Sequence, residues 1–137
     1  MSVAVGMGYT GFYPNSTSKV RDPGVSEGQR TYTLFLHLAG LLGFIVAVPI
    51  VPTVIMWAIK KDESGFVDDH GREAMNAQIS YLIYTLGFAA LTPITCGVSL
   101  AAAAAMPVVA VVFTILAAIS ASRGEYHRYP ATIRFIH

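Results

Sequence analysis

Residues 66–87 read FVDDHGREAMNAQISYLIYTLG. The head of this stretch carries Asp68, Asp69, His70, Arg72 and Glu73, and nothing after Glu73 is charged. Taking about 100° of turn per residue, His70, Glu73, Asn76, Ala77, Ser80 and Tyr84 fall within roughly 120° of arc, and Gly87 continues the line. The spacing therefore predicts a helix with a stripe of polar to small residues running down one side. Two readings of the charged head compete. It is either a catalytic or metal site, or the place where a chain leaves water and enters lipid.

The surrounding sequence favours the second. No Asp, Glu, Lys or Arg occurs from Ala74 to Ser122, nor from Thr31 to Ile59. A soluble core of this size needs no such runs, whereas membrane segments do. Of the 137 residues 54% are hydrophobic and 12% charged, too little charge to cover a soluble surface. The net charge of +1 comes without a basic stripe, which argues against nucleic acid as a partner. The start MSVAVGMGYTGFYPNSTSKVRDPG lacks a basic end followed by an apolar run, so no secretory signal is expected there. Cys96 is the single cysteine, which excludes an internal disulfide and a cysteine metal cluster.

The expected fold is all-α: a small polytopic membrane bundle of three to four segments behind a polar N-terminal tail over 1–30. That tail is rich in Gly, Ser, Tyr and Pro, lacks helical periodicity, and would be ordered by a partner. Residues 32–59 form either one kinked segment or a hairpin turned at Pro49 and Pro52, with a return limb from Thr53 too short for a full crossing. The hairpin accounts for both prolines. A second span is expected over 68–91, with Asp68 and Asp69 at its positive end, and a third over 98–122, kinked at Pro107. Residues 123–137 form an interfacial tail. Pro130 stops any helix before it; Arg123 anchors it, Arg128 and Arg134 meet phosphates, and Tyr126, Tyr129 and Phe135 sit in the headgroup layer, or else the segment folds back over the DDHGRE loop, where Arg134 pairs with an acidic residue. Lys60, Lys61 and Arg72 flank the central loop, while the turn TPITCG is uncharged. The positive-inside rule then places the central loop and the C-terminus in the cytoplasm of a bacterial inner membrane.

Chemical motifs are sparse. His70 and Glu73 have the spacing of a carboxylate–histidine metal site, but no second His-Glu pair answers them. There is no HExxH, nucleophile elbow or phosphate-binding loop. The expectation is a non-enzyme with no cofactor, no metal and no catalytic residue. Polar side chains in hydrocarbon must be paired. The line from His70 through Glu73, Asn76, Ser80 and Tyr84, joined by His37 of the first segment, is thus expected to face another helix or a partner protein. A polar path for a transported species is the alternative.

The run IKKDESGFVDDHGREAMNAQISYLIY, with FLHLAGLLGF upstream and GEYHRYPATIRFI downstream, resembles a bacterial membrane family called domain of unknown function 4870. That family was once described as resembling a chloroplast inner-envelope import (Tic) component. The resemblance rests on His37, on His70, Gly71, Arg72, Glu73, Ala74, Asn76 and Gln78, and on Tyr126, Arg128, Tyr129 and Pro130. It covers about Gly28 to His137. Ala77 departs from it, standing where the family has a bulkier aromatic, and the alanine run from Ala101 is unusually small. It implies the membrane class and the three-to-four-span architecture, and no activity. The functional expectation is an accessory or scaffold subunit of a larger membrane complex, or a homo-oligomer, with the lipid bilayer and other membrane subunits as partners.

Overall fold

The computed structural model describes residues 20–45 and 50–137, which form four α-helices and no strand beyond one isolated bridge between Arg21 and Glu125. Helix α1 spans Glu27–Ile45. Ser26 Oγ accepts from the Gln29 backbone N–H and Gln29 Oε1 accepts from that of Ser26, a reciprocal capping box that fixes the start. Helix α2 spans Ile50–Lys60 and has Pro52 in its first turn, where no intrahelical hydrogen bond is lost. Helix α3 spans Gly65–Ala90, capped by Ser64 through the Val67 N–H. Helix α4 spans Val98–Ser122 with Pro107 inside it, entered through Gly97 at φ 90°.

Helices α1 and α2 run antiparallel as a hairpin. The hydroxyl of Tyr32, near the start of α1, donates to the Met56 carbonyl near the end of α2 at 2.7 Å. Both helices then pack on α3 through glycines that leave no room for a side chain. Gly40 faces the Gln78 amide and Thr53, and Gly71 lies against the Trp57 indole. Helix α4 packs against α1 and α3. The chain after α4 turns back at Gly124, φ 71°, and lies along α3.

Two expectations are corrected. The tail expected over 1–30 lies outside the described residues as far as residue 19, but its last part is packed structure. Asp22 and Val25 are buried, the Asp22 N–H donates to the Gly124 carbonyl at 2.9 Å, and α1 already begins at Glu27. The capping box is inconspicuous among Gly, Ser and Pro, so composition pointed the wrong way. Helix α3 begins at Gly65, a turn before Asp68, because Ser64 supplies the cap.

Polarity is distributed against the rule for water-soluble domains. Thr33, His37, Thr53, His70, Glu73, Asn76 and Ser80 are buried, while Leu86, Val108, Ile115 and many other large apolar side chains are exposed. The exposed apolar surface peaks at the α3–α4 turn, where Ile94 is 78% and Val98 75% exposed. Charges collect at the opposite end, the head, among residues 60–73 and 123–134. Among the described residues, helix α4 is the one helix long and apolar enough by itself to cross a membrane. The polar stripe lowers the mean hydropathy of α3, yet that stripe is turned inward.

Candidate functional site

The stripe on α3 is a track for the chain's own C-terminus. Glu73 Oε1 accepts the Tyr129 N–H at 2.9 Å. Asn76 Oδ1 accepts the N–H groups of Phe135 and Ile136 at 2.9 and 2.8 Å, and its Nδ2 donates to the Ile136 carbonyl at 2.9 Å. Ser80 Oγ accepts from Ile133 N–H at 2.8 Å while donating to the Asn76 carbonyl. The hydroxyls of Tyr81 and Tyr84 donate to the carbonyls of Pro130 and Ala131. Residues 129–136 therefore form a strap, turned at Pro130 and Ala131, many of whose backbone groups, lacking a sheet or helix, pair with side chains that one helical face supplies. Arg134 adds an ion pair to Glu73 at 3.3 Å.

Above the track, at the head, His37 and His70 join the strap to two helices. His37 Nε2 lies 2.9 Å from His70 Nδ1, His37 Nδ1 3.1 Å from the Tyr129 hydroxyl, and His70 Nε2 3.1 Å from the Glu125 carbonyl. A carbonyl only accepts, so His70 carries its proton on Nε2. Its Nδ1 then accepts from His37 Nε2–H, and His37 Nδ1 accepts from Tyr129 O–H. One assignment with both rings neutral satisfies every atom of the chain. It ends on a carbonyl, which cannot pass a proton onward, so the network is a latch on the strap. Burial raises the Tyr129 hydroxyl above the ordinary tyrosine value, and a hydrogen bond with Thr114 acts against it. Phe66 and Tyr126 flank the His70 ring at 4.5 and 5.9 Å between centroids.

Ion pairs close the head. Arg128 holds both oxygens of Asp69 at 2.6 and 2.7 Å. Asp68 takes Arg72 at 2.6 Å and the Trp57 indole N–H at 2.8 Å. Asp22, buried, accepts from the Tyr126 hydroxyl at 3.3 Å.

The structure thus brings His37, His70, Glu73, Asn76, Ser80 and Tyr84 into one assembly, with the strap as the surface they face. Of the residues assigned to the interface, Arg123 is exposed at the end of α4 and Arg128 and Arg134 are paired to α3. Tyr126 and Tyr129 are not headgroup anchors: they are 1% and 5% exposed, drawn inside by the hydrogen bonds to Asp22 and His37. Tyr81, Asp69 and Asp22 were missed. Tyr81 lies outside the polar arc of α3, and the partners of Asp69 and Asp22 are distant in sequence. Among the described residues no group of three His, Cys, Asp or Glu side chains is placed to hold a metal ion.

Below the latch, a cleft between α3 and α4 is lined by Ala74, Ala77, Tyr81, Leu82, Met106 and Pro107, and Gln78, Thr114 and Tyr129 also border it.

Residues 28–136 match the family model MamF/MmsF, described as the magnetosome magnetite crystal formation protein family. No curated protein and no solved structure matches the chain. The matching model bears this description and not the name that the sequence motifs brought forward; the class of small membrane proteins is common to both.

Proposed function

The chain belongs to the magnetosome magnetite crystal formation protein family, and from that membership we propose that it is a polytopic, non-enzymatic subunit of the membrane in which magnetite forms. It acts by association, as an accessory or scaffold component bound to other membrane subunits or to further copies of itself. The observation that carries the membrane part is the inverted polarity: hydrogen-bonding side chains buried, large apolar side chains outside, charges confined to one end. In lipid this arrangement is favourable, because buried polar groups pair internally and apolar surface meets hydrocarbon. Helices α1, α3 and α4 are the crossing segments. Helix α2, at 11 residues about 16 Å long, is the partial return limb of the hairpin. The basic residues at the head favour an orientation with it and the C-terminus in the cytoplasm of a bacterial inner membrane.

The non-enzymatic part rests on chemistry. Among the described residues, His37, His70, Glu73 and Asn76 are engaged by one another and by the C-terminal segment, which argues against their serving as a free acid, base or nucleophile. The same occupancy weakens a translocon- or transporter-like reading, since the strap's backbone fills the line on which a polar path would run. The relation to domain of unknown function 4870 is retained as a resemblance within the same membrane class.

Deleting the gene in a magnetite-forming host should alter crystal size or number, with rescue by the intact chain. Unchanged crystals would reject the role. Cross-linking of native membranes followed by mild detergent should yield an assembly larger than the 14.7 kDa chain, and a clean monomer would reject association.

A further inference from the structure

Most cationic side chains of the head are engaged by the chain's own carboxylates. Arg21 pairs with Glu125, Lys60 with Glu63, Arg72 with Asp68, Arg128 with Asp69 and Arg134 with Glu73. Lys61 lies over the Trp57 ring. Among the described residues, Arg30 and Arg123 are left with neither an ion pair nor a side-chain hydrogen bond. Arg123 is exposed at the end of α4. Arg30 stands in the first turn of α1, and its guanidinium rests on the backbone of Gly124, the residue after Arg123. A methyl group at Gly124 would come within 2.9 Å of its Nε and 3.3 Å of its Nη2. Nε is sealed by that contact and takes no outside partner. The residue as a whole is partly exposed, so the outer end of the fork is what it offers. A guanidinium held in this way loses little freedom when it binds.

Depth says what the two forks meet. On the membrane reading above, on which this inference rests, Thr31 opens one charge-free run and Ser122 closes the other. Arg30 and Arg123 are therefore the first charges outside the hydrocarbon on α1 and α4, two helices packed together. Lipid phosphates lie at that level. The acidic side chains of these segments do not fill the place. Glu125 is held by Arg21, and Asp22 accepts from Gly24 N–H and the Tyr126 hydroxyl. Glu27 is exposed, about 4.5 Å further from the bilayer along α1. We propose that Arg30 and Arg123 together bind the phosphodiester of one anionic phospholipid. A guanidinium fork matches two phosphate oxygens, and two forks favour a lipid whose phosphate charge no ammonium balances.

The test sets phosphatidylglycerol against phosphatidylcholine, which share the phosphodiester and differ in net charge. The full chain, in mild detergent with an equimolar mixture of the two, should retain one phosphatidylglycerol in native mass spectrometry. Arg30→Gln and Arg123→Gln should each weaken that retention about tenfold, the factor of one charge-assisted hydrogen bond. Lys61→Gln removes the same charge from the loop after α2 and should leave retention unchanged. Equal weakening by all three variants would mean a diffuse basic surface and would overturn the proposal. Equal retention of both lipids would overturn it too, as would displacement by inorganic phosphate or an acidic peptide at the lipid's own concentration. Arg123→Gln, at an exposed position, decides the matter even if Arg30→Gln does not fold. Failure of the full chain to float with pure phosphatidylcholine vesicles would reject the membrane reading itself, which separates the two failures.

Discussion

Asn76 makes three hydrogen bonds to the strap, all of them to backbone groups that have no other element to join. Asn76→Leu leaves two N–H groups and one carbonyl unpaired, and each such group costs about 1–3 kcal/mol when it stays buried. Thermal unfolding in detergent should show a loss of at least about 2 kcal/mol, since the strap's end regains some pairing by moving out. His37→Phe is the corresponding test of the latch: it leaves His70 Nδ1 without a donor and the Tyr129 hydroxyl with Thr114 alone, with an expected loss of about 1–3 kcal/mol by the same measurement. Which residues line this face was legible, because helical phase is arithmetic on positions 70–84. What they face was legible only in part: His37 and Arg134 stood as candidate partners and a fold-back over the head as one of two courses, but the backbone pairing along the track did not. A side chain's partner is set by where the chain returns, and nothing local to Asn76 or Ser80 encodes residues 133–136.

Helix ends follow local chemistry more closely than composition does. Ser26 with Gln29, Ser64 with the Val67 N–H, and Gly97 at positive φ each fix a boundary. The all-helical class follows from the long apolar runs and their breaks at Pro and Gly. The first turn of α1 was hidden because the stretch before it has the composition of a loop, although a Ser-x-x-Gln signal was there to read. Helix contact is tightest where α2 meets α3. Gly71→Ala drives a methyl into the Trp57 indole and should destabilise by about 1–3 kcal/mol. Trp57 is the only tryptophan, so a shift in emission reports the displacement directly. An unchanged spectrum and melting point would mean that α2 and α3 are spaced differently.

Across the whole molecule, one end is charged and cross-linked by hydrogen bonds, and the other is bare hydrocarbon surface. Cys96 lies exposed in the turn at the bare end, at a left-handed φ of 51°. In sealed inverted and right-side-out vesicles, a membrane-impermeant maleimide should modify it only from the face opposite the head. Modification from both faces would dismantle the topology. The strap has a temporal consequence as well. Residues 129–136 leave the ribosome after all four helices, yet they supply the backbone groups that satisfy Glu73, Asn76 and Ser80. Until the strap has emerged, the nascent chain carries these side chains unmet, and the native packing of α3 waits for it. A ribosome stalled before Tyr129 would thus hold an intermediate open to membrane proteases, and quality control could recognise a truncated product by that uncovered line.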